Sequence, residues 1–157
     1  MKFITREDIV APIEHVFAGV SDFQSFERAA MRRGAQVKRI DNQDIRGPGM
    51  AWQADFEFRG KKRSLEVVLE DFEEPTNLEF LGTSGGMSGS CEIELIALSP
   101  SKTRMRMALD LKPQTLSARL LVQSMKLAKG NLEKRFQARV TEFSGDLAAR
   151  YSQTRTA

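Results

Sequence analysis

Few residues in this sequence have side chains that could perform acid–base or nucleophilic chemistry in a pocket. The only histidine, His15, is of a type that titrates near neutral pH, and the only cysteine, Cys91, could act as a nucleophile. His15 follows Glu14 in a predicted helix, so we expect it at the surface. Cys91 lies in an apolar strand pattern, so we expect a buried, unreactive thiol.

Two carboxylates are the next candidates for a general base. Glu7 shares a strand face with Phe3 and Thr5, and Asp71 falls at the end of a predicted strand. Neither has an identified partner that could tune its pKa for catalysis. The catalytic residues therefore stay unassigned, and the sequence favours binding over catalysis.

Metal and cofactor sites have equally little support in the sequence. One histidine and one cysteine cannot supply a zinc site built from thiolates and imidazoles. The glycine-rich segment 84–90 lacks the lysine and the spacing of a phosphate-binding loop, so it predicts a hairpin turn, with a rim over a cavity as the second interpretation. We expect no metal and no cofactor.

The composition is that of an ordinary folded protein. The chain has 157 residues, of which 41% are hydrophobic and 29% charged, enough for a single core. The net charge is +3 and the basic runs are short, so we expect no nucleic-acid partner, while acidic ligands and anionic membrane surfaces stay open. No apolar run reaches the roughly 20 residues that span a bilayer, and no signal peptide is visible. We expect a cytoplasmic protein without integral membrane association.

The hydrophobic pattern changes along the chain from strand-like to helical, then to strand-like again and finally to helical. Alternation predicts a first strand that ends near Ile9, and Pro12 predicts the start of a short helix. Ser21 and Asp22 together predict a break and the N-cap of a second short helix, which Gly34 would end. From 35 to 112, turn signals separate six further strands.

One phase of the alternation in these strands is apolar and the other is mostly charged. This pattern predicts an antiparallel sheet with one packed face and one wet face. A three-residue loop at 99–101 would place Ile93 opposite Met107 and Glu94 opposite Arg106. We therefore interpret Glu94 and Arg106 as solvated sheet residues rather than catalytic ones.

Residues from about 116 to 150 predict a long C-terminal helix. One apolar stripe follows its whole length, and a second stripe, formed by Leu116, Leu120 and Leu127, covers only its first half. Gly130 lies between these two halves and could allow a kink or a break. We assign residues 1–150 to a single domain and expect 151–157 to form a disordered tail.

Three features together resemble the START-like, or SRPBCC, superfamily: the run Ile9–Phe17, the turn Gly47–Trp52 before a strand, and the C-terminal helix. Within it, the chain is similar to bacterial proteins described as polyketide cyclase/dehydrase and lipid-transport-like. The resemblance implies an α+β helix-grip fold, in which a seven-stranded curved antiparallel sheet wraps around a long C-terminal helix, with two short helices between strands 1 and 2. It also implies a hydrophobic cavity between sheet and helix, and it transfers no catalytic residue.

Inward-facing strand positions and the first helix stripe predict which residues line this cavity. Trp52 is expected to form an aromatic wall, and Gln123 to supply one polar contact. The full predicted set is Trp52, Phe56, Leu65, Val67, Phe80, Cys91, Ile93, Met105, Met107, Leu109, Leu121, Gln123, Met125 and Ala128.

The leading functional hypothesis is binding or transport of an apolar small molecule such as a lipid, a quinone or a polyketide-like compound. One alternative is a cofactor-independent cyclase/dehydrase-type enzyme that acts on such a ligand. Another is a protein-interaction or homodimerisation module, in which side chains such as Phe56, Phe58 and Phe136 fill the pocket and the region around Leu120 docks a second copy.

Overall fold

A computed structural model describes residues 1–156 and contains one seven-stranded antiparallel sheet. In chain order the strands are β1 (Lys2–Ile9), β2 (Gln36–Arg39), β3 (Ala51–Phe58), β4 (Lys61–Glu73), β5 (Asn77–Ser84), β6 (Met87–Ser99) and β7 (Lys102–Pro113). Their spatial order is β1-β7-β6-β5-β4-β3-β2, so β1 and β2 form the two edges. The predicted number of strands and their antiparallel arrangement are confirmed.

The pairing of β6 with β7 has the predicted register but a different turn. Ile93 lies opposite Met107 and Glu94 opposite Arg106, as the sequence predicts. The turn itself has two residues, 100–101, and the register shifts between Ala97 and Ser99. The bulge places one extra residue, Leu98, in β6 opposite no partner in β7. From Ala97 toward the start of β6, the pairing is therefore the same as a three-residue loop would give.

The glycine-rich segment forms the tight turn between β5 and β6. Gly85 and Gly86 have φ of +47° and +82°, the left-handed conformation that a two-residue turn of this kind requires at both central positions. The predicted hairpin is confirmed.

The two short helices lie between β1 and β2, as predicted. They are α1 (Ile13–Val20), which follows Pro12, and α2 (Phe23–Arg32). The Asp22 carboxylate accepts a hydrogen bond from the backbone N–H of Ser25 at 3.3 Å and caps α2.

The C-terminal region contains two helices rather than one. Helix α3 (Leu116–Leu127) ends at Ala128, and helix α4 (Lys129–Thr156) follows directly. The disordered tail predicted for 151–157 is therefore wrong for 151–156, where α4 continues and the ring of Tyr151 lies 5.1 Å from that of His15. Ala157 lies outside the described residues.

Helices α1 and α4 pack on the face of the sheet that carries the apolar residues, which we call the inner face. In α4, Val140 and Leu147 are buried in the same core as Leu69, Leu78 and Met105. The second half of the predicted helix stripe therefore covers the sheet. None of the helices in the described chain is long and apolar enough to cross a lipid bilayer.

Polar contacts fix the position of α4, and two of the residues first considered for chemistry take part in them. Gln137 Nε2 donates to Glu7 Oε1 at 2.8 Å, and Gln137 also pairs with the hydroxyl of Thr5. His15 Nε2 lies 3.0 Å from the carbonyl oxygen of Leu147. His15 is half-buried rather than at the surface as predicted, because its ring bridges α1 and α4.

Candidate functional site

An apolar depression on the inner face lies beneath α2, and we call it the α2 cavity. Its volume is about 330 Å³ and it is partly open to solvent. The helical side is formed by Phe23, Phe26 and Glu27, and the floor by strands β2 to β7. The complete lining is Val20, Phe23, Phe26, Glu27, Val37, Trp52, Ala54, Val67, Phe80, Cys91, Ile93 and Met107.

A second apolar depression lies toward the β5–β6 turn, and we call it the hairpin cavity. It has a volume of about 280 Å³, and its lining includes Leu65, Leu109 and the turn-flanking Met87. The remaining lining residues are Val67, Phe80, Gly82, Ser84, Ser88, Gly89, Ser90, Cys91 and Leu111. Because Val67, Phe80 and Cys91 line both cavities, the two cavities are neighbours along the sheet.

Aromatic side chains shape the α2 cavity. The ring of Phe23 lies 5.3 Å from that of Trp52 and 6.0 Å from that of Phe80, both in edge-on geometry. On the other side, Phe26 contacts Phe143 of α4 with ring centroids 5.7 Å apart. Four of these rings, Phe23, Phe26, Trp52 and Phe80, line the cavity.

Glu27 is the only charged residue that lines the α2 cavity. Its Oε1 accepts a hydrogen bond from the indole N–H of Trp52 at 2.9 Å. Glu27 and Phe23 also line a neighbouring polar groove that contains Arg39 and Arg46. The Glu27 carboxylate thus stands at the boundary between an apolar and a polar space.

The last residue of β2 and the loop after it support Trp52. The Arg39 guanidinium lies 5.6 Å from the centre of the Trp52 ring and pairs with Asp41 through two hydrogen bonds. The Arg39 guanidinium and the backbone N–H of Ala51 hold the pKa of the Asp41 carboxyl well below its usual range. The charged pair therefore persists at any ordinary pH and keeps the indole in place.

Cys91 lies where the two cavities meet. Burial raises the pKa of its thiol from 9.0 to about 11, because removing water from around the sulfur disfavours the thiolate. The thiol is therefore neutral at physiological pH, in agreement with the sequence-based expectation of an unreactive cysteine.

This shift predicts slow alkylation of Cys91. At pH 8 the native protein should react with iodoacetamide about 100-fold more slowly than the protein unfolded in urea, since a rise from 9.0 to about 11 lowers the thiolate fraction tenfold per unit. The native rate should rise with pH up to about 11. Mass spectrometry of timed, quenched samples measures both rates, and equal rates for native and unfolded protein would contradict the buried thiol.

Eight of the fourteen predicted lining residues border these two cavities. All eight are strand residues, and one of them, Trp52, contributes an aromatic ring to the α2 cavity. They are Trp52, Leu65, Val67, Phe80, Cys91, Ile93, Met107 and Leu109.

The other six lie elsewhere. Phe56 lines a separate, polar groove near Lys62 and Arg63, and Met105 is fully buried in the core. Leu121, Gln123, Met125 and Ala128 belong to α3 or to the residue that ends it, and none of them lines either cavity. Helix α3 ends at Ala128, whose φ of −107° and ψ of 16° are not helical, and of the two C-terminal helices only α4 contributes residues to the core cluster.

The helical side of the cavity was missed at the sequence level. Phe23, Phe26 and Glu27 are spaced three and four residues apart, which places them on one face of α2. That spacing was a usable signal, as was Ala54, which lies between Trp52 and Phe56 in the apolar phase of β3.

Asp71, the other carboxylate considered for catalysis, lies outside both cavities at the bulge in β4. Its Oδ2 accepts a hydrogen bond from Asn77 Nδ2 at 2.7 Å, which joins β4 to β5. Among residues 1–156, no three His, Cys, Asp or Glu side chains gather as a potential metal site.

No protein-family model matches the sequence, and no curated protein matches it. Solved structures do match the fold. An aromatase/cyclase from Streptomyces sp. R1128 has a TM-score of 0.67 at 11% identity, covering 96% of this chain and 94% of that one. A protein from Thermus thermophilus has a TM-score of 0.68 at 12% identity, covering 96% and 99%.

A START superfamily protein from Mycobacterium smegmatis also matches, with a TM-score of 0.55 at 13% identity, covering 85% of this chain and 95% of that one. At such identities the likeness concerns the fold alone. The chain has the START-like, helix-grip fold that the sequence predicts.

Proposed function

We propose that the protein binds an apolar small molecule across the α2 cavity and the hairpin cavity. The observation that carries this proposal is the lining: two neighbouring cavities share three residues, and Glu27 is their only charged member. When an apolar molecule enters an open space with this lining and displaces the water there, the free energy of the system falls. The START-like fold of the neighbours supports the same function.

The shape and polarity of the space indicate the ligand class. Aromatic walls around Trp52 and Phe80 suit a flat or ring-containing molecule, and the continuation into the hairpin cavity suits an extended chain or a second ring system. The Glu27 carboxylate would accept a hydrogen bond from one hydroxyl group. A quinone-like, polyketide-like or lipid molecule with one polar end fits these features.

A cyclase or dehydrase activity has less support. One fold neighbour carries the name aromatase/cyclase. Within both cavities, however, only Glu27 and Cys91 have titratable side chains, and the Cys91 thiol is neutral at physiological pH. A reaction would depend on Glu27 alone as acid or base, so we assign binding rather than turnover.

The test uses Trp52, the only tryptophan in the chain, as a reporter inside the site. We expect the neutral apolar fluorophore N-phenyl-1-naphthylamine to quench Trp52 emission with a Kd of about 1–100 µM, since a ligand of this size gains roughly 0.3–0.5 kcal/mol per heavy atom. Native mass spectrometry of freshly purified protein, followed by organic extraction, identifies any molecule already bound. Unchanged Trp52 emission together with a ligand-free mass would contradict the proposal.

A further inference from the structure

Helix α3 is apolar on two opposite sides. Ala118 and Val122 are buried against the rest of the protein, whereas Leu116, Leu120 and Leu127 are 73%, 59% and 92% exposed. Because an α-helix turns by about 100° per residue, the three leucines fall within an arc of about 40°, on the side opposite Ala118. We call this row the leucine ridge.

Both charged residues of α3 are basic. Arg119 and Lys126 are exposed and lie along one side of the ridge, and no carboxylate in the described chain forms an ion pair with either. The sequence from Leu111 to Leu132 contains no Asp or Glu, and its four cations are Lys112, Arg119, Lys126 and Lys129. Only Lys129 has an acidic partner, Glu133, at 3.5 Å.

We propose that α3 docks reversibly onto the surface of an anionic lipid bilayer. The leucine ridge would insert at the level of the acyl boundary, while Arg119 and Lys126 contact the negative headgroups. Exposed leucines bordered by cations, on a helix too short to cross the bilayer, are the features of a helix that lies in the membrane interface.

The start of α3 adjoins one end of the ligand space. Thr115, its N-cap, packs against the turn glycine Gly86, where an added Cβ would lie 2.5 Å from the Thr115 Oγ1. The next residue, Met87, lines the hairpin cavity together with Leu111. Docking through α3 would thus bring that end of the cavity near the membrane, although the docking itself needs no ligand in the cavity.

Vesicle co-sedimentation tests the proposal. We expect the full chain to sediment with vesicles of equal parts phosphatidylcholine and phosphatidylglycerol, and much less with pure phosphatidylcholine. The double variant Leu120→Gln/Leu127→Gln should lower the vesicle affinity about tenfold or more by removing apolar insertion. The double variant Arg119→Gln/Lys126→Gln should lower it about 25-fold at low salt, since each cation near such a surface contributes about fivefold.

Matched controls distinguish docking through α3 from non-specific adsorption to vesicles. Ile45→Gln removes an apolar side chain that is 82% exposed elsewhere, and Lys61→Gln/Lys62→Gln removes two exposed cations of the β3–β4 region. Both controls should bind vesicles as the wild type does. The α3 variants should also retain N-phenyl-1-naphthylamine binding, which distinguishes a failure of docking from a failure of the ligand site.

Three results would overturn the proposal: no sedimentation of the wild type with anionic vesicles, equal binding to both vesicle types, or equal losses of affinity in the α3 and control variants. A fourth contradicting result could come from light scattering, which measures the oligomeric state. A wild-type dimer that becomes a monomer in Leu120→Gln/Leu127→Gln would show that a second copy, rather than a membrane, covers the leucine ridge.

Discussion

Replacing Cys91 by phenylalanine is expected to weaken the binding of an apolar ligand about 70-fold while the protein stays folded. Cys91 lies where the α2 cavity and the hairpin cavity meet, so a benzyl group there would occupy space that both share. Loss of about 100 Å² of apolar contact at about 25 cal/mol per Å² corresponds to about 2.5 kcal/mol of binding free energy. Quenching of Trp52 by N-phenyl-1-naphthylamine measures the affinity.

Two variants control this experiment. Glu92→Phe adds the same ring one residue later in β6, where alternation places it on the opposite face of the sheet, and it should leave the affinity unchanged. Cys91→Ala removes the thiol without filling the space and should bind at least as well as the wild type. If Cys91→Phe binds like Glu92→Phe, the ligand does not occupy the assigned cavity.

The sequence was most informative about the sheet. Side chains alternate strictly in a strand, so one apolar phase defines both the strands and the face that packs. The pairing of Ile93 with Met107 was predicted from that phase and from a three-residue loop at 99–101. The observed turn is one residue shorter, but the bulge near Ala97 adds one residue to β6, so the predicted pairing is correct. The sequence is sufficient here because strand register is set by the alternation within each strand and by the length of the turn between them.

The helical part of the site was less accessible to sequence reasoning. The stripe through Leu121, Met125 and Ala128 continues that of α4 in phase, and it predicts a single helix along the cavity. Nothing in the periodicity shows that α3 ends at Ala128, two residues before Gly130. The position of a helix relative to a sheet depends on long-range packing, which a one-dimensional pattern does not record.

Glu27 illustrates the same limit for a single residue. A glutamate followed directly by Arg28 in a short helix is typical of a solvated surface residue. Its role at the cavity boundary depends on the Trp52 indole, which lies 25 residues later in the sequence and reaches Glu27 only because β3 passes beneath α2. Chemistry that depends on such a meeting becomes visible only in the structure.

The close approach of α1 to α4 gives the second large expected effect. A Cβ added at Gly19 would clash with Leu147 Cδ2, and Leu147 is only 1% exposed, so its side chain is enclosed by the close-packed core. Alanine gains about 1 kcal/mol of helix propensity over glycine, whereas overpacking costs roughly 1–3 kcal/mol. We expect the overpacking cost to exceed the propensity gain, so that Gly19→Ala lowers the free energy of unfolding by up to about 2 kcal/mol in urea denaturation.

Gly145 is the matched control for this position. It also lies within a helix, but a Cβ there would meet nothing within 4 Å, so Gly145→Ala should stabilise the protein by up to about 1 kcal/mol. A stabilising Gly19→Ala would show that the contact between α1 and α4 is looser than the structure has it.

A double-mutant cycle assigns the clash to its partner. Leu147→Ala alone should cost about 2–5 kcal/mol, because it leaves a cavity in the core. In Gly19→Ala/Leu147→Ala, the new methyl group enters that cavity instead of clashing, so the double variant should be about 1–3 kcal/mol more stable than the sum of the two single changes. Purely additive changes would place the cost of Gly19→Ala somewhere other than Leu147. Coupling of the expected sign would show that α4 can lie against α1 because Gly19 has no side chain. The position of α4 matters for the ligand site, because Phe143 of α4 contacts Phe26, which lines the α2 cavity.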